Sequence, residues 1–165
     1  MKKLVIFDLD GTLLNTIEDL GNAANYALSL NGYPTHSLAS YPFFVGNGVR
    51  NLIRKALPDD MRTDSIIESL LKDFKEYYNE HNTDCTKPYD GIEELLRNLQ
   101  DNGVKIAVAS NKYQQATEKI IAHYFGDIDF VAVYGQREGV NVKPDPSVVF
   151  SILSDAKVPK SEVLY

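Results

Sequence analysis

Short apolar runs that stop abruptly at polar residues are the feature that most constrains the fold of this chain. Residues 4–7 form a continuous apolar run that ends at Asp8, and similar runs cover residues 105–109 and 130–134. A fourth run begins at residue 163. Apolar runs without alternation are typical of strands buried on both faces, as in a parallel sheet. The sequence therefore predicts a parallel sheet covered by helices on both sides.

Helical patterns fill the segments between the later runs. They place apolar residues at helical spacing in residues 92–100, 114–124 and 146–156. Strands and helices that alternate along a chain favour a parallel sheet with crossover helices. The predicted fold class is therefore α/β, with a parallel-sheet, Rossmann-like core.

A long stretch without a clear buried strand separates the first apolar run from the second. Its helical patterns cover residues 17–30, 49–57 and 65–81. We interpret residues 16–87 as a small all-helical domain inserted after the first strand. Residues 1–15 and 88–165 then form the α/β core.

Composition excludes several classes of function. The 17 basic residues against 23 acidic residues give a net charge of −6, which disfavours general nucleic-acid binding. No apolar run is long enough to span a membrane. Cys85 is the only cysteine, which excludes an internal disulfide and a cysteine-based zinc site. We expect a cytoplasmic protein whose partner is a small anionic molecule, with neither nucleic acid nor membrane as a partner.

Two acidic residues, Asp8 and Asp10, follow the first apolar run. Residues two apart in extended backbone point the same way, so both carboxylates are predicted to lie at the carboxyl end of the strand. Ligands of open α/β sheets bind at that end. Facing carboxylates repel one another unless a cation lies between them, and Mg²⁺ suits such oxygen ligands. The alternative is that both residues are ordinary turn formers.

Polar residues at two later positions favour a shared site. Ser110 and Asn111 follow the second run, and Lys143 precedes Pro144. The Ser110 hydroxyl can donate to phosphate oxygens, although Ser110 suits a helix N-cap equally well. Pro144 keeps Lys143 out of a helix, so its ammonium can point at a phosphate or at Asp8; the alternative is a solvated surface lysine.

Three segments, in this order, resemble the motifs of the haloacid dehalogenase-like superfamily of phosphohydrolases. Residues 7–13 (Phe-Asp-Leu-Asp-Gly-Thr-Leu) are similar to its first motif, residues 110–112 to its second and residues 143–144 to its third. The helical stretch between the first two motifs resembles the small cap domain of the family. Within that stretch, residues 45–48 (Val-Gly-Asn-Gly) resemble the phosphoglycolate phosphatase branch.

The resemblance implies Mg²⁺-dependent hydrolysis of a small phosphate monoester through an aspartyl-phosphate intermediate. It implies that Asp8 is the nucleophile and that Asp10 protonates the leaving oxygen and then activates water. The implied metal ligands are the carboxylate of Asp8 and the main-chain carbonyl of Asp10. The residues implied in phosphate binding are Thr12, Ser110, Asn111 and Lys143, together with the main-chain amides of residues 9–11.

One part of the family pattern is missing. The fourth motif of the family, an acidic pair after a further strand, supplies another Mg²⁺ carboxylate. The chain ends at Tyr165, within an apolar run where that strand is expected, which predicts truncation. We therefore expect impaired Mg²⁺ affinity and little or no turnover from the chain as given.

A glycine-rich turn in the inserted stretch is the candidate substrate contact. Gly46, Asn47 and Gly48 precede a helical pattern that contains Arg50. Amides at the start of a helix suit an anion. We hypothesise that this turn or Arg50 contacts the carboxylate, or another polar group, of a small phosphorylated metabolite. The alternative is a simple interhelical turn with solvated arginines.

Two other functions stay open from the sequence. A sugar-phosphate mutase of the same fold keeps its aspartyl-phosphate long enough to rephosphorylate a substrate. A non-catalytic phosphate-binding or signalling domain is the other class. A receiver domain carries its phosphorylated aspartate after a later strand, whereas Ser110 and Asn111 follow the second run here. That difference argues against a receiver.

Overall fold

The computed structural model describes residues 1–165 and contains six strands and six α-helices. The strands are β1 (Leu4–Phe7), β2 (Leu14–Asn15), β3 (Lys87–Pro88), β4 (Lys105–Tyr113), β5 (Phe130–Gln136) and β6 (Val163–Leu164). The α-helices are α1 (Ile17–Leu30), α2 (Gly48–Ala56), α3 (Asp64–His81), α4 (Ile92–Asp101), α5 (Gln114–Tyr124) and α6 (Ser147–Ala156). Short 3-10 helices lie at Leu38–Phe43, Asp59–Met61 and Lys160–Glu162.

Four parallel strands form the main sheet, in the order β5, β4, β1, β6. β1 is central: Phe7 lies opposite Val108 of β4, and Leu4 lies opposite Val163 of β6. The chain leaves β1 towards β4 and β5 and later returns to its other side at β6, so the strand order reverses at β1. This parallel sheet with crossover helices confirms the predicted α/β class. In such sheets the carboxyl ends at the reversal are the usual ligand site.

The sheet is buried because its apolar runs meet helices. Leu4 and Ile6 of β1 and Ala107 of β4 pack with Val148 and Ile152 of α6 in one apolar core. Each of these five residues is no more than 7% exposed. The apolar runs of β1 and β4 thus belong to a close-packed core, which fixes the positions of Asp8 and Ser110 directly after them.

The chain divides into two compact units, one of residues 1–15 and 87–165 and the other of residues 16–86. The second, helical unit is built mainly on the packing of α1 against α3. Its buried apolar side chains include Leu20, Ala24, Leu28, Ile67, Leu70 and Phe74. The side chain of Thr63 caps α3 by accepting a hydrogen bond from Ile66 N. No helix of the structure is both long and apolar enough to cross a membrane.

Two strands continue beyond their apolar runs. β4 extends from the predicted residues 105–109 to Tyr113, and β5 extends from residues 130–134 to Gln136. Ser110 therefore lies within a strand, and the helix that follows starts after Tyr113. The alternative of Ser110 as a helix N-cap is wrong, because the next helix, α5, begins at Gln114 and its N-cap residue is Tyr113.

Pairing between β2 and β3 was not predicted from the sequence. These two-residue strands form an antiparallel ladder in which Asn15 lies opposite Lys87 and Leu14 opposite Pro88. Two residues are too few to show an alternating pattern, so the sequence carries no signal for them. The ladder brings together the two segments between which residues 16–86 are inserted.

Candidate active site

A tight turn follows β1 and fixes the backbone around both acids. The carbonyl of Leu9 accepts hydrogen bonds from the amides of Thr12, Leu13 and Leu14 at 3.0–3.2 Å. Gly11 has φ +80° and donates its N–H to Leu14 O at 2.9 Å. This left-handed conformation favours glycine, because a side chain there would be strained. The apolar strand therefore ends in a rigid turn that holds Asp8 and Asp10.

Lys143 lies at the carboxyl end of β1, beside Asp8. Its Nζ is 2.9 Å from Asp8 Oδ1 and donates to Ala109 O, at the end of the apolar run of β4, at 2.6 Å. The Lys143 side chain is 15% exposed and that of Asp8 is 43% exposed. One ammonium thus links Asp8, directly after β1, to the backbone of the adjacent strand β4, and Asp8 remains accessible to a small molecule.

Asn111 holds the main chain of Lys143 at two points. Its Nδ2 donates to Lys143 O at 3.1 Å, and its Oδ1 accepts from Lys143 N at 2.8 Å. The sequence placed Asn111 among the phosphate-binding residues, whereas both polar atoms of its side chain bond the backbone of Lys143. Asn111 therefore links the end of β4 to the segment that carries the lysine.

Asp10 has a lysine partner that the sequence reasoning missed. Lys112 Nζ lies 3.0 Å from Asp10 Oδ1, and the two side chains are 3% and 17% exposed. This pair was not predicted because lysine is rarely buried, and because polar residues such as 110–112 are typical of the exposed end of a strand. The available signal was the period of two, which places Lys112 and Ser110 on the same side of an extended segment.

The segment that carries Asn111 and Lys112 is fixed by its neighbours in β5 and α5. The hydroxyl of Thr117 donates to Lys112 O at 3.2 Å. The side chain of Gln114 forms two hydrogen bonds with the β5 backbone: Nε2 donates to Val133 O at 2.8 Å, and Oε1 accepts from Gly135 N at 2.7 Å. Gly135 is needed here, because an added Cβ would overlap Lys112 O. The end of β4 is thus tied to its surroundings on several sides.

The remaining predicted phosphate ligands occupy different environments. Ser110 is 4% exposed, and its Oγ accepts from Lys112 N at 3.1 Å, which leaves its hydroxyl hydrogen as a donor. Thr12 is exposed in the turn after β1. Leu9 N donates to Asp8 Oδ1 at 2.7 Å and Gly11 N to Leu14 O. Two of the three amides expected to bind phosphate therefore have protein partners.

The predicted substrate contacts all lie in the helical unit. Gly46 and Gly48 have φ values of +121° and +79°, and α2 begins at Gly48. Arg50 forms ion pairs with Asp64, at 2.6 Å, and with Glu68, both on α3. It is thus an exposed but paired arginine. The proposed contact of this turn or of Arg50 with a substrate stays a prediction.

The charges at the strand ends suit a divalent cation once a phosphate is present. The carboxylates of Asp8 and Asp10 are matched by the ammonium groups of Lys143 and Lys112. A bound phosphate would add negative charge that nothing in this balanced set offsets, and Mg²⁺ is commonly held by one or two carboxylates plus phosphate oxygens. The oxygen donors of Asp8 and Asp10 fit that role. No group of three or more His, Cys, Asp or Glu side chains that could hold a metal occurs in the structure.

Known proteins show the same pattern over nearly the whole chain. The model of the haloacid dehalogenase-like hydrolase family matches residues 5–165. A phosphoglycolate phosphatase of Pseudomonas syringae pv. tomato is 33% identical over an alignment that covers all of this chain and 62% of the relative. A phosphoglycolate phosphatase of Cereibacter sphaeroides is 38% identical over 87% of this chain and 66% of its own length. The chain thus spans less than two thirds of either relative.

A solved structure shows the same fold. The crystal structure of a candidate phosphoglycolate phosphatase from Lactobacillus delbrueckii subsp. bulgaricus superposes with a TM-score of 0.91 and 32% identity. That match covers all of this chain and 78% of the other. The family match, the relatives and the strand-end acids agree with one another. This chain belongs to the haloacid dehalogenase-like hydrolase family.

Proposed function

We propose that the α/β unit carries the phosphoryl-transfer site of a Mg²⁺-dependent phosphatase that hydrolyses a small phosphate monoester. The observation that carries the proposal is the ion pair between Asp8, which directly follows β1, and Lys143, whose ammonium also donates to Ala109 O of β4. A half-exposed carboxylate beside a fixed ammonium is suited to attack an anionic phosphorus centre, because the cation offsets the repulsion between the two anions.

Phosphoglycolate is the proposed substrate. The relatives from Pseudomonas syringae and Cereibacter sphaeroides are named phosphoglycolate phosphatases. Residues 45–48 also resemble that branch of the family. Under this proposal the helical unit is the cap, and Gly46, Asn47, Gly48 or Arg50 contacts the carboxylate of the substrate. A cytoplasmic location remains part of the proposal.

The proposed reaction has two displacements. In the first, a carboxylate oxygen of Asp8 bonds to phosphorus and the bond to the ester oxygen breaks. Asp10 has to enter this step as the carboxylic acid, and its proton goes to the ester oxygen. In the second, water attacks the phosphorus of the aspartyl-phosphate and loses a proton to Asp10, which regenerates Asp8 and releases inorganic phosphate. No group is consumed except the ester and one water.

The other residues position and neutralise charge. Lys143 stabilises the negative charge that builds up on the phosphoryl oxygens, and the Ser110 hydroxyl donates to one of them. In this proposal Thr12, in the turn after β1, donates to another. Asp8 and the Asp10 carbonyl would hold Mg²⁺, which would supply the charge neutralisation that phosphoryl transfer requires.

The test measures phosphate release from a panel of esters. The wild-type chain is compared with Asp8→Asn at saturating Mg²⁺. The protein is in excess over the ester, so that a single turnover is measured, because slow turnover is expected. We expect release from 2-phosphoglycolate, none from Asp8→Asn, and loss of activity when the metal is chelated. Arg97→Ala is the control, since Arg97 pairs with Asp127 at an exposed position outside the proposed site.

Three outcomes would overturn the proposal. Equal phosphate release by wild type and Asp8→Asn would remove Asp8 as the nucleophile. Binding of inorganic phosphate and Mg²⁺ without phosphate release from any ester, even within a single turnover, would rule out the phosphatase in favour of a non-catalytic phosphate-binding domain. Transfer of the phosphoryl group to a second sugar phosphate without release of inorganic phosphate would indicate the mutase instead.

A further inference from the structure

We propose that Asn111 is a positioning residue for Lys143 and does not bind phosphate through its side chain. The inference rests on the proposed function, because Lys143 is the group that would meet the phosphate. It goes beyond that function by assigning to one side chain the task of aiming another. Asn111 lies 32 positions before Lys143 in the sequence, so the link joins two elements and is not a local turn.

The first argument for this role comes from the hydrogen bonds that Asn111 forms with the backbone of Lys143. Both polar atoms of the amide face the backbone of one residue, with Nδ2 on Lys143 O and Oδ1 on Lys143 N. This pairing satisfies one donor and one acceptor of the backbone and fixes the orientation of the peptide units on either side of the lysine. Asn111 is 8% exposed, so water competes weakly for these bonds.

The second argument is that Lys143 lies in an irregular segment, where its backbone needs an anchor. It lies between β5 and α6, in a segment of residues 137–146 that belongs to no helix or strand. Lysine has a long, flexible side chain, and an unanchored backbone would let its ammonium sample many positions. The amide of Asn111 holds the base of the side chain, while Asp8 and Ala109 O hold its tip.

The third argument is that Asn111 is itself held in a fixed position. Asn111 belongs to β4, and the next residue is fixed by the hydroxyl of Thr117 and by the close approach of Gly135. A positioning residue transmits order only if it is itself ordered. Asn111 meets this condition because it lies on a buried strand, between the apolar run and the Gln114 contacts to β5.

The helical unit offers a matched control. Asn25 binds the backbone of His36 in the same way, with Nδ2 on His36 O at 2.8 Å and Oδ1 on His36 N at 2.9 Å. Asn25→Ala therefore removes the same pair of bonds from a residue that carries no proposed phosphate contact, and it also removes the bond that Asn25 Oδ1 accepts from the buried Tyr41 hydroxyl, so it is the more severe of the two changes. Any general effect of losing such a pair of bonds is expected in both variants.

The first measurement follows Lys143 without any ligand. The chain is treated with trace acetic anhydride, and acetylation of each lysine is quantified by peptide mass spectrometry. Asn111→Ala is expected to raise the rate at Lys143 by about tenfold, the change that loss of one or two hydrogen bonds typically produces. The isosteric Asn111→Asp keeps the acceptor for Lys143 N and is expected to fall between the two. Asn25→Ala is expected to leave the rate at Lys143 unchanged.

The second measurement is a double-mutant cycle on inorganic phosphate affinity, read by calorimetry in the presence of Mg²⁺. Asn111→Ala is expected to weaken binding by about tenfold in the wild-type background and by less than about twofold in Lys143→Met. This loss of effect is the mark of a residue that acts through another. A merely structural role would give the same fold-change in both backgrounds.

Each outcome decides the proposal. An unchanged acetylation rate at Lys143 in both Asn111 variants would overturn it. An undiminished effect of Asn111→Ala on phosphate binding in Lys143→Met would also overturn it, because Asn111 would then not act through Lys143. If wild type binds no phosphate, the proposed function fails, and the acetylation rates alone decide the role of Asn111. If Asn111→Ala does not fold, the rate in Asn111→Asp decides it.

Discussion

Ion pairs occur in both units of the molecule, but their environments differ. In the α/β unit, Lys112 and Asp10 form a pair whose side chains are 3% and 17% exposed. In the helical unit, Arg50 pairs with Asp64 and Glu68, and these side chains are 47%, 92% and 65% exposed. The Lys112–Asp10 pair thus lies in shielded surroundings, where electrostatic forces are strong and chemistry is possible, whereas Arg50 and its partners lie in water, where their attraction is screened.

Close-packed glycines show the same contrast. Gly135 in the α/β unit faces the backbone at Lys112 O, whereas an added Cβ at Gly21 in the helical unit would lie 2.6 Å from a Leu38 methyl and 2.9 Å from the ring of Tyr41. Backbone cannot move aside without disturbing the sheet, but a side chain can change its rotamer. An added side chain at Gly135 would therefore displace the backbone of β4 next to the site residues, whereas one at Gly21 would displace side chains.

The largest expected effect comes from Lys112→Met. This change removes the ammonium from Asp10 and leaves its carboxylate largely shielded, so we expect a loss of about 3 kcal/mol in the free energy of unfolding. Arg50→Met, the counterpart in the helical unit, is expected to cost less than about 1 kcal/mol, because exposed pairs are well screened. Urea denaturation followed by circular dichroism measures both. Equal losses in the two variants would remove the contrast between the units.

The next effect in size distinguishes the two glycines. Gly135→Ala is expected to lower the free energy of unfolding by about 2–3 kcal/mol, since the new methyl group overlaps the β4 backbone. Gly21→Ala is expected to cost about 1 kcal/mol, because Leu38 can move. Hydrogen exchange at the amides of residues 110–113 is expected to speed up in Gly135→Ala alone. If Gly21→Ala lost more free energy of unfolding than Gly135→Ala, the packing around Gly21 in the helical unit would be the more rigid of the two.

The smallest effect appears at alkaline pH and belongs to the helical unit. Tyr41 is fully buried, donates to Asn25 Oδ1 at 2.8 Å, and burial raises the pKa of its phenol above the ordinary value of 10.0. The unfolded chain then loses this proton at a lower pH than the folded chain. Stability is therefore fully present below about pH 10 and falls above it, by up to about 1.4 kcal/mol per pH unit.

Tyr41→Phe isolates this contribution. The variant is expected to lose some stability at neutral pH, because a buried hydrogen bond is removed. Above pH 10 its stability is expected to fall less steeply than that of wild type, measured by urea denaturation at a series of pH values. Parallel curves for the two proteins would show that Tyr41 titrates alike in the folded and unfolded chains.

The strand-end pattern was sufficient to predict the sheet and the neighbourhood of Asp8. Unbroken apolar runs mark doubly covered strands, and parallel strands bring their carboxyl ends together, which is why Lys143 and Ala109 lie near Asp8. These inferences need only the spacing of residue types along the chain. The resemblance of residues 7–13 then supplied the proposed chemistry.

The sequence did not allow us to predict which partner each polar side chain binds. Asn111 and Lys112 stand side by side in a polar motif, yet one binds the backbone of Lys143 and the other binds Asp10. Which partner each residue finds depends on how far β4 extends and on where Gly135 allows β5 to approach. These are tertiary facts, and no spacing along the chain encodes them.

The location of the transferred phosphoryl group tests the central claim most directly. The chain is mixed with 2-phosphoglycolate and Mg²⁺, quenched in acid within the first turnover, and digested for mass spectrometry. We expect the mass of one phosphoryl group on the peptide that contains Asp8, removable by hydroxylamine and absent from Asp8→Asn. A phosphoryl group on another residue, or release of phosphate without any labelled peptide in wild type and Asp10→Asn alike, would contradict the role of Asp8 as the nucleophile.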